Sequence, residues 1–92
     1  MILSDLSGTI AAGSTSQRAA PQRKGRKYLF IENPATATGS LFFCFSKAAQ
    51  GNSPSMAIEP GDHRAWNGHA PENEVHVYAE DVEHEFTMWE GY

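Results

Sequence analysis

One cysteine, no apolar run longer than the five residues Leu41 to Phe45, and no catalytic signature define this 92-residue chain by what it lacks. Cys44 alone excludes an intramolecular disulfide, and with it the small scaffold stapled by bridges. Five apolar residues fall far short of the roughly 20 needed for a membrane-spanning helix. No apolar stretch follows a basic start, so a secretory leader is not expected and the product reads as soluble and intracellular where it is made. A chain this short folds as one domain and buries only about 60–65% of the surface it exposes when unfolded. Its core is thin, with little room for a deep pocket, and marginal monomers of this kind often lean on partners.

Motifs for metal, phosphate and nucleophilic chemistry are missing as well. His63, His69, His76 and His84 form no HxH or HExxH pair, and there is no CxxC. Gly8 and Gly13 belong to no GxxxxGK or GxGxxG frame, no GxSxG elbow occurs, and Glu80, Asp81, Glu83 and Glu85 lack the spacing of a calcium loop. Cys44, between Phe43 and Phe45, reads as a small buried hydrophobe rather than a thiolate. No enzyme activity and no cofactor or metal are expected.

What the chain does have is a strong asymmetry of charge. Five of its seven cations (Arg18, Arg23, Lys24, Arg26, Lys27) lie between residues 18 and 27, whereas ten of its eleven acids follow residue 31. Residues 1–27 therefore carry +4 and residues 28–92 carry −8, which together make the net −4. This is the pattern of a basic arm on an acidic body, and the arm is a candidate for contacting phosphate or an acidic protein surface. No aromatic residue is interleaved with these cations before Tyr28, so single-stranded nucleic acid finds no stacking platform there, and no specific nucleic-acid partner is expected.

Residues 1–25, rich in Gly, Ala, Ser, Thr and Gln, read as an extended arm in which only a short piece near 8–12 has strand character. Residues 26–92 read as a β-domain. Tyr28 to Glu32 is a strand stopped by Asn33-Pro34. Ser40 to Ser46 is a second, with Leu41, Phe43 and Phe45 on one face and Phe42 and Cys44 on the other, the pattern of a central strand covered on both sides. Ser55 to Glu59 and His63 to Trp66 are shorter candidates separated by a Pro60-Gly61 turn. In Glu74 to Glu80, Val75, Val77 and Ala79 share a face; in His84 to Glu90, Phe86 and Met88 do. The three-residue connection Asp81 to Glu83 predicts that these two form a hairpin. The fold class is all-β: a small antiparallel sandwich or jelly-roll-like barrel of six to eight short strands with an extended N-terminal arm.

Aromatic residues are the remaining functional candidates. Trp66 reads as a cap on the core, whereas Trp89, opposite in parity to Phe86 and Met88, and Tyr92 read as partner-binding residues.

In order, SGTIAAGSTSQ, the basic RK before a strand ending ENP, LFFCF, SMAIEPGD, a VxVY strand and the terminal EFTMWEG resemble small accessory proteins of tailed bacteriophages. The likeness runs from about Ser7 to Gly91. It implies a β-sandwich without enzymatic activity, found in the virion and made in the host cytoplasm. Its expected role is capsid decoration or cementing, with the major capsid protein or another virion protein as partner and self-association in the assembled particle. A carbohydrate-binding or host-recognition module on a tail fibre or spike, stacking sugars on Trp66, Trp89 and Tyr92, is the alternative. This chain departs from such proteins in its markedly acidic body. On the arm reading, Arg18, Arg23, Lys24, Arg26 and Lys27 contact a neighbour, and removal of residues 1–25 leaves the β-domain folded.

Overall fold

The computed structural model describes residues 1–92 and contains nine strands and no helix, hence none long and apolar enough to cross a membrane. The strands are β1 (Leu3–Asp5), β2 (Gly8–Ile10), β3 (Gln17–Ala20), β4 (Tyr28–Glu32), β5 (Leu41–Phe45), β6 (Met56–Ile58), β7 (His63–Asn67), β8 (Val75–Tyr78) and β9 (His84–Gly91). They form two antiparallel sheets. One runs β1-β9-β4-β7, with β2 pairing the other half of β9; the second runs β3-β8-β5-β6. The all-β sandwich expected from the alternation is the observed architecture.

Period-2 patterning explains why the sheets face one another. Leu29 and Ile31 of β4 and Phe86 and Met88 of β9 point inward, against Leu41 and Phe43 of β5 and Val75 and Val77 of β8. Trp66 packs on this core from β7, its ring edge-on to Phe43 and Phe45 with centroids 5.9 and 5.6 Å away. The Pro60-Gly61 turn is observed: Gly61 sits at φ +86°, where a side chain is strained, and the Asp62 N–H closes the turn on the Glu59 carbonyl.

Three expectations are corrected. Residues 1–25 are not a projecting arm: β1 and β2 pair end to end along β9, and β3 pairs β8 at the edge of the other sheet. Ile10 and Ala20 from this segment are fully buried. The strand near 8–12 is β2, but the small polar residues around it hid β1 and β3, which take their partners from the far end of the chain. Second, β8 and β9 are not a hairpin. They lie in different sheets, and the short connection crosses from one layer to the other through Glu83 at φ +56°. Two apolar faces turned to one core from opposite sides alternate in the same way as two neighbours in one sheet, so the pattern did not distinguish them. Third, β5 is central in its sheet but only its inward face meets a second sheet; on the outside Cys44 is nevertheless buried, and half-buried Phe42 meets Tyr78 edge-on at 6.0 Å.

Because β1, β2 and β3 belong to both sheets, deleting residues 1–25 removes Ile10 and Ala20 from the core and exposes edges of β8 and β9. Burying one large apolar side chain is worth about 1.5–3 kcal/mol, a large share of the stability of so small a domain. The truncated chain is expected to lose its cooperative thermal transition and its dispersed amide spectrum; a sharp transition close to that of the full chain contradicts this placement.

Candidate interaction surface

The basic cluster divides into an internal and an external part. Arg26, with a side chain 0% exposed, donates from Nε to Glu90 Oε1 at 3.1 Å. Its Nη1 donates to the carbonyls of Pro71 and Asn73 at 2.8 and 2.7 Å, and its Nη2 to that of Pro21 at 2.6 Å. Arg23 completes the carboxylate, donating from Nε and Nη2 to Glu90 Oε2 at 3.2 and 3.0 Å, with its guanidinium carbon 4.1 Å from the centre of the Tyr92 ring. The bond to Glu90 raises the Arg23 pKa above its ordinary value.

Arg23 and Arg26, expected at a partner surface, are thus engaged within the fold, and Tyr92 is held half-buried by Arg23. Arg18, Lys24 and Lys27 are exposed. Arg18 lies 3.8 Å from Glu74, which is held below the usual carboxylate range first by its hydrogen bond from His76 and then by the charges of His76 and Arg18. Sequence reasoning missed Glu90, though it continues the inward parity of Phe86 and Met88; an acid on core parity calls for a buried cation.

Asn33 makes the corresponding join at the opposite end of β4. Its Nδ2 donates to the carbonyls of Gly39 and Ile58 at 3.0 and 2.9 Å, leaving Oδ1 to accept from His84 Nε2 at 2.8 Å. His84 is therefore occupied in tying the start of β9 to the end of β4, while Asn33 reaches across to Ile58 in the facing sheet. His63 is instead stacked on Phe30 at 5.4 Å, and His76 binds Glu74. No three His, Cys, Asp or Glu side chains converge into a metal-binding group.

The outward face of the β1-β9-β4-β7 sheet carries the most unusual surface. Register places Leu3, Gly91, Tyr28 and Asn67 in one cross-strand row, Asp5, Trp89, Phe30 and Ala65 in the next, and Thr87, Glu32 and His63 in a third. The first two rows are mainly apolar; Met1 lays its side chain over Gly91, and His63 stacks on Phe30. Met1, Leu3 and Trp89 remain 76%, 56% and 38% exposed. With Tyr28 and Asn67 they line an open groove of about 470 Å³. Trp89 thus lies where its parity placed it, while Leu3, Tyr28 and Phe30 were not anticipated beside it; the parity of Tyr28 and Phe30, opposite to Leu29 and Ile31, was the available signal.

Side-chain charge on this face is of one sign. Asp5, Glu32 and Glu85 share it with the neutral groups, and no lysine or arginine does. Hydrogen bonding from Ser7, side chain first and backbone second, holds Asp5 below the usual carboxylate range, so it remains an anion well into mild acid.

Comparison of the chain with protein-family models, with curated proteins and with solved structures returns no match.

Two substitution experiments follow. Arg26→Met leaves buried Glu90 short of its one fully buried partner and is expected to cost about 3–5 kcal/mol by urea denaturation, with Glu90→Leu in the same chain restoring most of it. Arg18→Ala, at a 60% exposed side chain, is expected to stay within about 0.5 kcal/mol. Equal losses from the two single variants contradict the internal role of Arg26. In the second experiment, Trp66→Ala removes a ring packed on Phe43 and Phe45 and is expected to cost about 3 kcal/mol, whereas Trp89→Ala is expected to cost less than about 1 kcal/mol. The reverse order means that Trp89, not Trp66, supports the core.

Proposed function

We propose that this chain is a non-enzymatic accessory protein of a bacteriophage virion, a capsid decoration or cement protein that docks through the outward face of its β1-β9-β4-β7 sheet. The observation that carries the proposal is that face: two adjacent rows bring Leu3, Tyr28, Phe30 and Trp89 together on the outer side of one sheet, whereas the exposed Met56 and Val82 stand apart, in β6 and in the β8–β9 connection. Contiguous apolar surface of this kind, centred on a tryptophan, is a signature of protein interfaces. The likeness of Ser7 to Gly91 to small phage accessory proteins supports the same reading, and the partner is then the major capsid protein or another virion protein. Copies arrayed by the symmetry of a shell gain avidity from a site that is weak in isolation.

Sugar recognition on a fibre has less support. Of its three stacking residues, Trp66 is packed inward and Tyr92 lies under Arg23, leaving Trp89 alone.

The test is co-sedimentation of the purified chain with particles of a phage carrying this gene, stripped of accessory proteins, together with mass spectrometry of intact particles. Saturable binding, weakened at least tenfold by Trp89→Ala, is the expected result. Absence of the protein from intact particles and no binding to stripped ones overturns the reading.

A further inference from the structure

Resting on the docking role just proposed, we infer that the occupant of this face is a protein segment with an apolar centre flanked by lysine or arginine, and not a second copy of the chain or a glycan. Charge decides against the second copy. Two-fold pairing of one face with itself sets the same set of residues on both sides of the interface, and the charged side chains here are the carboxylates Asp5, Glu32 and Glu85. Each copy would bring anions and no lysine or arginine to meet them, the one basic ring being the His63 imidazole stacked on Phe30. Like charges opposed across an interface cost several kcal/mol. A partner with cations at the matching positions turns the same three groups into complements.

Lining chemistry weighs against the glycan. Orientation of a polar ligand needs several placed donors and acceptors, and the five residues of the groove offer only the Asn67 amide, the Tyr28 hydroxyl and the Trp89 indole N–H, with no charged side chain among them. Met1, Leu3, Tyr28 and Trp89 instead match aliphatic or aromatic side chains of a protein segment. Size agrees as well: with principal extents of 34 × 25 × 20 Å, the broad side of the sandwich has room for the roughly 800 Å² per partner of an ordinary protein interface.

The experiment uses the isotope-labelled full chain and three probes: a twelve-residue synthetic peptide with an apolar centre and two lysines at each end, the same centre with two glutamates at each end, and chitohexaose. The lysine peptide is expected to bind at least tenfold more tightly than the glutamate peptide. It should shift the amides of Leu3, Phe30, Ala65 and Trp89, and lose most of its advantage between 50 and 500 mM salt. Asp5→Asn with Glu32→Gln is expected to narrow the preference several-fold, with the fold monitored by the unshifted β8 amides. Equal binding of the two peptides, binding of neither, or shifts with chitohexaose overturns the inference. So do shifts of the same amides on raising protein concentration alone, which identify a second copy. Any of these results obtained with particle binding intact removes the inferred partner chemistry and leaves the docking role standing; loss of particle binding removes the role itself.

Discussion

The buried contact between Arg26 and Glu90 is the constraint on which the arrangement depends. Neither charge is tolerable alone in a dry interior, so wherever β9 delivers Glu90 to the core, Arg26 must follow. In doing so it gathers the carbonyls of Pro21, Pro71 and Asn73, reinforcing a junction that the Arg23 N–H bond to the Glu72 carbonyl and the β3–β8 pairing also hold. Buried ion pairs contribute uncertain net stability, because desolvation offsets attraction. What this one supplies is register: β4 against β9, with Tyr28 opposite Gly91 and Phe30 opposite Trp89.

A second polar join holds the other end of the same strand pair. Arg26 precedes β4 and Asn33 follows it; their partners Glu90 and His84 lie at opposite ends of β9. Asn33 also reaches Ile58 in the facing sheet, so the two layers are tied there as well. Between the joins only apolar side chains face inward. A β4-β9 pair fixed at both ends keeps Tyr28, Phe30 and Trp89 in one plane on the outer side, which is how internal charge chemistry comes to define an external surface.

This also shows what was legible in the sequence. Strands from Tyr28 onward were readable because each carries a period-2 apolar set, and β4 was found to the residue. The N-terminal strands were not, since β1 and β3 are polar and gain strand structure from partners more than 50 residues away. Charge counting was misleading for a related reason. It counted Arg23 and Arg26 as free, when one of the acids from the body, Glu90, was already committed to them. The surface was half legible: parity exposed Trp89, but strand order, which no local pattern contains, was needed to set Leu3, Phe30 and Tyr28 beside it. Tyr92 and Trp66, both plausible from composition, were decided by tertiary neighbours.

The most direct measurement of the central claim, that function resides on the outer face of the β1-β9-β4-β7 sheet, is site-specific photo-crosslinking to phage particles. A photoreactive phenylalanine analogue is placed at position 89 on that face, or at position 42 on the outer face of the opposite sheet. The account predicts cross-links to a virion protein from position 89 and none from position 42. Cross-links from position 42 alone contradict it.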